Sequence, residues 1–302
     1  MSDIEIVEVG PRDGLQNEAV LFTTEQKLEM IRRALASGVR RIEVASFVNP
    51  KLVPQMADAE AVSAGLPRRE DVIYIGLVLN KRGALRAIEA GLDELGAVCA
   101  ASDGFAIRNQ GQTSEESLEM CCDVVRLAQQ EGRRAQITIS TAFGCPFDGE
   151  VDPQRVIDMA RKAAAAGPVE IAIADTIGVA GPRDVADLVT RLRAAIDPLP
   201  VRVHFHNTRN TGLANVWAAV NAGAKTVDAS LGGLGGCPFA PRATGNVPTE
   251  DVVYLLERSG YHTGLDIGVL IQTSEWLAHE MGRELPGMVS RAGNFPASTA
   301  RH

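Results

Sequence analysis

The sequence predicts an α/β fold, a (β/α)8 barrel with an extra helical segment at its carboxyl end, and three observations carry that prediction. Eight short runs of strand character recur along the 302 residues at intervals of roughly 23 to 40, each followed by a segment of helical periodicity. Such alternation is the pattern of a parallel sheet with helical crossovers. The length suits one barrel of this kind. The turn after the first strand, Gly10-Pro11-Arg12-Asp13-Gly14, lacks the Gly-rich fingerprint of the competing doubly wound sheet.

The strand runs begin near Ile4, Arg41, Val72, Leu95, Ala135, Val169, Val201 and Lys225. Thr23 and Gln26 have the spacing of a capping box that opens a helix over 27–36, and Gly38 is placed to end it. Gly91, Gly132, Gly167, Gly223 and Gly260 are expected to close later segments in the same way. A final helix over 265–281 should pack against the outside of the barrel, with a loosely structured remainder. No linker divides the chain. We therefore expect a single catalytic domain over 1–302, with the barrel at about 4–264 and a helical extension at about 265–302.

Composition narrows the function classes. Hydrophobic residues at 45% and charged residues at 23% fit a globular protein, and no apolar run reaches the ~18 to 20 residues of a membrane span. The start, Met1-Ser2-Asp3-Ile4-Glu5, has no signal-type core, which predicts a cytoplasmic protein without a membrane partner. A formal net charge of −8 with no basic cluster argues against nucleic acid. The five cysteines, Cys99, Cys121, Cys122, Cys145 and Cys237, show no Cys-x-x-Cys spacing, which favours reduced thiols over a disulfide frame or a structural zinc site.

The chemistry centres on Val201-Arg202-Val203-His204-Phe205-His206. Alternation with period two reads as a strand, so His204 and His206 project from one face, about 6 to 7 Å apart. Two imidazoles so placed can converge on a divalent ion if oxygen ligands arrive from elsewhere. Alone, the pair also fits a strand end with solvated histidines. In a barrel, however, active sites lie at the carboxyl ends of the strands. There the order of the chain gathers Arg12 and Asp13, Glu43, Asp175, the histidines, Cys237 and Asn246. Asp13, His204, His206 and Asn246 would offer two nitrogens and two oxygens, a set suited to Mg²⁺ or Mn²⁺, with Fe²⁺ or Zn²⁺ as alternatives, and lacking the thiolates of structural zinc. Each residue has a plainer reading too: Glu43 as a paired interior charge, Asp175 as a helix cap, Arg12–Asp13 as a local ion pair, and Cys237 as packing.

Four motifs carry a resemblance. They are Val7-Glu8-Val9-Gly10-Pro11-Arg12-Asp13-Gly14-Leu15-Gln16-Asn17-Glu18, Ser46-Phe47-Val48-Asn49-Pro50-Lys51-Leu52-Val53-Pro54-Gln55-Met56, Asp175-Thr176-Ile177-Gly178, and Gly232-Gly233-Leu234-Gly235-Gly236-Cys237-Pro238-Phe239-Ala240. Together they resemble the 3-hydroxy-3-methylglutaryl-CoA lyase family of metal-dependent barrel lyases. The resemblance implies cleavage of a 3-hydroxyacyl-CoA thioester to acetyl-CoA and a keto acid such as acetoacetate. It also implies metal ligation by Asp13, His204, His206 and Asn246, with Arg12 on the thioester oxygen and Cys237 as an acid/base group. Glu43, Asp175 and His204 join the catalytic set and Gln16 lies beside the substrate, while a homo-oligomer is expected by family likeness. The chain departs from the family at Asn207-Thr208-Arg209-Asn210, where an Asp-Thr-Tyr-Gly run is usual. Asn207 and Arg209 are therefore expected to contact substrate and to reshape its pocket. The alternatives are a lyase for another thioester such as citramalyl-CoA, a Claisen-type synthase, and an acyl-CoA-binding homologue without turnover.

Overall fold

The computed structural model describes residues 2–236 and 245–295. Eight parallel strands close into a barrel: β1 (Glu5–Glu8), β2 (Arg41–Ser46), β3 (Ile73–Val78), β4 (Glu94–Ala100), β5 (Arg134–Ser140), β6 (Ile171–Asp175), β7 (Val201–Phe205) and β8 (Thr226–Ala229). They pair in chain order, and β8 returns to β1 through Val227↔Ile6 and Asp228↔Val7. This is the (β/α)8 architecture expected from the recurrence of strand runs.

The helices follow the punctuation of the sequence. The first helix, α1 (Thr24–Ala36), opens on Thr23 with both halves of the capping box formed. It starts three residues before the expected 27, because Thr24, Glu25 and Gln26 form the first helical turn that Thr23 caps. The connections between strands hold α2 (Ala59–Gly65), α3 (Lys81–Glu89), α4 (Asp103–Gln110), α5 (Ser114–Gln130), α6 (Pro153–Ala164), α7 (Pro182–Ile196) and α8 (Gly212–Asn221). Gly38, Gly91, Gly132, Gly167, Gly223 and Gly260 all adopt positive φ, between 67° and 104°, as their role of stopping helices requires.

After β8 come α9 (Thr249–Arg258), α10 (Ile267–Met281) and the short α11 (Val289–Ala292). The helix α10 buries Leu270 and Leu277 completely against the barrel's outer shell. Beyond it the expectation of a loose remainder is corrected as far as residue 295. Asp251 accepts from the backbone of Met288 and Val289 at 3.0 and 2.7 Å, and Gly287 N donates to the Gly232 carbonyl at 3.0 Å. Backbone donors satisfied in this way fix a segment that carries no hydrophobic periodicity for the sequence to reveal.

Two packed regions result. Outward-facing strand residues such as Ile42, Cys99, Ile137, Ile139 and Val203 meet the helices, and Cys121 on α5 is buried there. Inside the barrel Val7, Val9 and Ile75 make a separate small apolar cluster. Much of the rest of the interior is polar, with Glu43, Glu94, Gln136, Arg202 and Asp228 buried there. No helix among the described residues is long and apolar enough to cross a membrane.

Candidate metal centre and active site

The carboxyl ends of β7, β8 and β1 bring the first candidates together. His204 lies within β7 and His206 just beyond it, where its backbone bridges to Asn246. Asp13 arrives on the tight helical turn Gly10–Gly14, in which the N–H groups of Asp13 and Gly14 return to the Val9 carbonyl at 2.7 and 3.2 Å. One ligand atom from each of Asp13, His204 and His206 lies within 4.8 Å of the others. Both Nε2 atoms stand 3.8 Å from the same oxygen, Asp13 Oδ2, and the two rings are 5.1 Å apart between centroids. That separation is too long for hydrogen bonds and leaves room for an ion between them.

Asn246 completes the rim from the other side. Its Nδ2 donates to Asp13 Oδ2 at 2.9 Å and to the Leu234 carbonyl at 3.1 Å. The expected oxygen ligand thus presents its nitrogen to Asp13, and a half-turn of the amide would exchange the two atoms. Gly235 stands so close that a Cβ there would sit 2.7 Å from Asn246 Nδ2, and its φ of 126° also needs glycine.

Charge pairing prepares these groups. Arg12 Nε donates to Glu43 and Arg12 Nη1 to Asp13, so Glu43 is an interior charge paired with arginine and Arg12–Asp13 is an ion pair within the site. Burial works against the Arg12 charge, but Asp13 and Glu43 outweigh it and hold the guanidinium protonated. Burial also penalises Asp13, and Arg12 with the two histidines more than offsets that, leaving its carboxyl well below the usual carboxylate range. The anion is therefore ready for a cation.

Asp228 is the residue that the sequence reading missed. It pairs in register with His204, and its Oδ2 lies 3.1 Å from His204 Nδ1 while its Oδ1 accepts from Arg202 Nε at 2.5 Å. A carboxylate on Nδ1 fixes the tautomer that leaves Nε2 open as a ligand. Burial opposes a charge on His204, and Asp228 and Asp13 outweigh it, raising its pKa. The available signal was a carboxylate in mid-strand, Thr226-Val227-Asp228-Ala229, which a buried strand cannot carry unpaired. Glu8 was missed as well. Its Oε1 accepts from Gly10 N and Leu231 N at 2.7 and 3.0 Å and its Oε2 from the Thr249 hydroxyl at 2.7 Å, tying the turn after β1 to the loop after β8.

The other candidates sit around this core in supporting positions. Asp175 ends β6 fully buried, and its two oxygens accept from Val179 N and Ala180 N, both at 2.9 Å; it shapes its own loop, ahead of α7. Burial raises its pKa against those hydrogen bonds. Asn207 Oδ1 accepts from Gly212 N at 2.9 Å. Arg209 Nη1 donates to the carbonyls of Ile177 and Gly178 at 3.0 and 2.9 Å, stapling the loop after β7 to the loop after β6. Gln16 Oε1 is buried without a partner among the described residues. Cys237 lies outside the described residues; next to it Gly236 is held by Asn17 Nδ2 on its carbonyl at 3.0 Å.

Comparison with known proteins follows the same outline. Residues 3–277 match the HMGL-like family model. The (R)-citramalyl-CoA lyase of Chloroflexus aurantiacus is 44% identical over 97% of this chain and 96% of that protein. The 3-hydroxy-3-isohexenylglutaryl-CoA/hydroxy-methylglutaryl-CoA lyase of Pseudomonas aeruginosa is 38% identical over 96% of each. Among solved structures, an HMG-CoA lyase from Acinetobacter baumannii in complex with coenzyme A and 3-methylmalate superposes with a TM-score of 0.93 at 40% identity, covering 99% of this chain and 97% of that one.

Proposed function

The chain belongs to the HMGL-like family and is a carbon–carbon lyase, and from that premise we propose that it cleaves a 3-hydroxy-3-methylacyl-CoA thioester to acetyl-CoA and a keto acid. The observation that carries this reading is the cluster of Asp13, His204 and His206 at the carboxyl rim of the barrel. Its donor set, two imidazole nitrogens and an ionised carboxylate with Asn246 alongside, fits a divalent ion of the Mg²⁺ or Mn²⁺ type. When bound, such an ion supplies Lewis acidity toward a substrate hydroxyl or carbonyl oxygen.

The chain's own residues do the rest. Arg12, kept cationic by Asp13 and Glu43, meets the thioester oxygen as negative charge gathers on it. The C3 hydroxyl gives up its proton, C3 becomes the carbonyl carbon of the keto acid, and the electrons of the C2–C3 bond pass to the enolate of acetyl-CoA. Cys237 is an acid/base group, while His204, aligned by Asp228, belongs to the metal-holding set; one proton must leave the hydroxyl and one must reach C2. Asp175 and Glu43 hold loop and guanidinium in place, and Gln16, Asn207 and Arg209 border the substrate. We assign residues 1–302 to one catalytic unit.

The first substrate is 3-hydroxy-3-methylglutaryl-CoA. A second reading, citramalyl-CoA, is favoured by the relative of that activity at 44% identity. Acetyl-CoA release from each thioester, by metal-stripped protein refilled with Mn²⁺, separates them: acetoacetate forms from the first and pyruvate from the second. Release from neither would overturn the lyase proposal for these substrates.

A further inference from the structure

Across the barrel from Asp13 and Asn246, two interior positions are partly exposed. In the closed strand order β4 and β5 stand opposite β8 and β1, after which Asn246 and Asp13 follow. Val98 on β4 and Thr138 on β5 are partners in register. Both face inward. Cys99, Ile137 and Ile139 beside them pack in the outer shell, and alternate residues of a strand share a face. Thr138 Oγ1 donates to Gln136 Oε1 at 3.0 Å, and Gln136 Nε2 lies 3.0 Å from where a Cβ on Gly96 would stand, with Glu43 Oε2 at 3.5 Å. The face that carries Val98 and Thr138 is thus continuous with Glu43 and so with Arg12 and Asp13.

A filled barrel interior buries its mid-strand side chains. Val98 and Thr138 are partly exposed, however, and the strand residues on either side of each are buried. Among the described residues of the eight strands, the other positions that are not buried are Glu5, Ile73 and Arg134, all at amino-terminal ends. The exposure in mid-barrel is therefore confined to one adjacent pair. The coenzyme part of a thioester is too large and too anionic for a hollow bounded by Glu43, Gln136, a valine and a threonine. An alkyl group fits, because the Thr138 hydroxyl is already engaged by Gln136 and the Val98 side chain is apolar.

We propose that Val98 and Thr138 form the wall that receives the alkyl substituent on C3 of the substrate, so that their volume selects which 3-hydroxyacyl thioesters are cleaved. The assignment rests on the lyase reading above. The test compares kcat/KM for 3-hydroxy-3-methylglutaryl-CoA with that for its 3-ethyl analogue, in wild type, Val98→Phe, Val98→Ala and Thr138→Val, with Mn²⁺ affinity measured for each. One methylene in a fitted apolar pocket is worth about 10- to 200-fold. Val98→Phe should lower kcat/KM for the ethyl thioester at least about tenfold more than for the methyl one, and Val98→Ala should shift the ratio the other way. Thr138→Val, close in volume, should leave the ratio unchanged, and Mn²⁺ affinity should hold throughout. Equal effects on both thioesters, or none, would overturn the assignment. Failure of the lyase reading is distinguishable: Mn²⁺-loaded wild type would then release no acetyl-CoA from either thioester. In that event calorimetric binding of free 3-ethyl-3-hydroxyglutarate decides, weaker binding by Val98→Phe supporting the wall and equal binding refuting it.

Discussion

At the amino-terminal end of the barrel, Arg41, Arg202, Glu94 and Glu170 are buried and saturate one another; at the carboxyl end, Arg12 and Glu43 are buried and paired, but a partly buried Asp13 faces two buried histidines that it does not hydrogen-bond. Arg41 pairs with Glu94 and, at 2.6 Å, with Glu170, which also lies 3.5 Å from Arg202, while Arg134 reaches Glu94 at 3.0 Å. Burial opposes the Arg41 charge, and Glu170 and Glu94 more than offset it. Among the described residues at that end, the buried polar atom left without a partner is Arg41 Nε. At the other end Gln16 Oε1, Ser46 Oγ, Ser102 Oγ, His206 Nδ1 and Ser230 Oγ find no partner among the described residues, and two imidazoles face one carboxylate oxygen at 3.8 Å. The same residue types thus serve two ends. Saturated charges hold a fold together; unsaturated ones await an ion and a substrate.

Five substitutions sharpen that contrast. The largest effect belongs to the open end. Asp13→Asn or His204→Ala should cut acetyl-CoA release by at least about 10³-fold and abolish tight Mn²⁺ binding, with circular dichroism unchanged. At the saturated end the loss should be of stability instead. Arg41→Met removes the partner that two buried carboxylates share and should cost about 3 to 5 kcal/mol in urea unfolding while leaving Mn²⁺ affinity as it was. A drop in metal affinity there would mean that the two ends are not separable.

Asp228 is the joint between them, since it takes Arg202 on one oxygen and His204 on the other. Asp228→Asn allows the amide to donate to Nδ1, which favours the tautomer that cannot ligate through Nε2. Mn²⁺ affinity should fall about 10- to 100-fold, as for other carboxylates behind a ligating histidine. The smallest effect is a pH dependence. Burial, working against the Thr249, Leu231 and Gly10 hydrogen bonds, pushes the Glu8 carboxyl up from 4.5 to about 7. A raised carboxyl favours the folded state below its unfolded pKa, and that contribution is lost as pH climbs from 4.5 to about 7. Glu8→Gln should therefore flatten the fall in stability across this window, by at most about 3 kcal/mol, in thermal unfolding followed against pH. An unchanged slope would show that Glu8 ionises as an ordinary carboxyl.

Much of the barrel was legible because its signals are local. Strand runs, the Thr23–Gln26 box and the six stopping glycines each need only a few adjacent residues. The grouping of Asp13, His204 and His206 was legible for a related reason: the two histidines share a face by strand geometry, and the rim rule brings Asp13 to them. What escaped depends on partners far away in the chain. Asp228 acquires its meaning from His204 and Arg202, residues 24 and 26 positions earlier. Glu8 acquires its own from Leu231 and Thr249, 223 and 241 positions later. Asp175 and Arg209, candidates from their place on the rim, also bind loop amides and loop carbonyls respectively, a use that no local pattern announces.

The most direct test of the account is a Mn²⁺ titration of metal-stripped protein, with bound ion followed by electron paramagnetic resonance and acetyl-CoA release followed in the same samples. The account predicts that activity returns in proportion to bound Mn²⁺ and saturates at a single ion per chain, and that Asp13→Asn shows neither signal. Full turnover by the stripped protein, or Mn²⁺ binding that Asp13→Asn leaves intact, would contradict it.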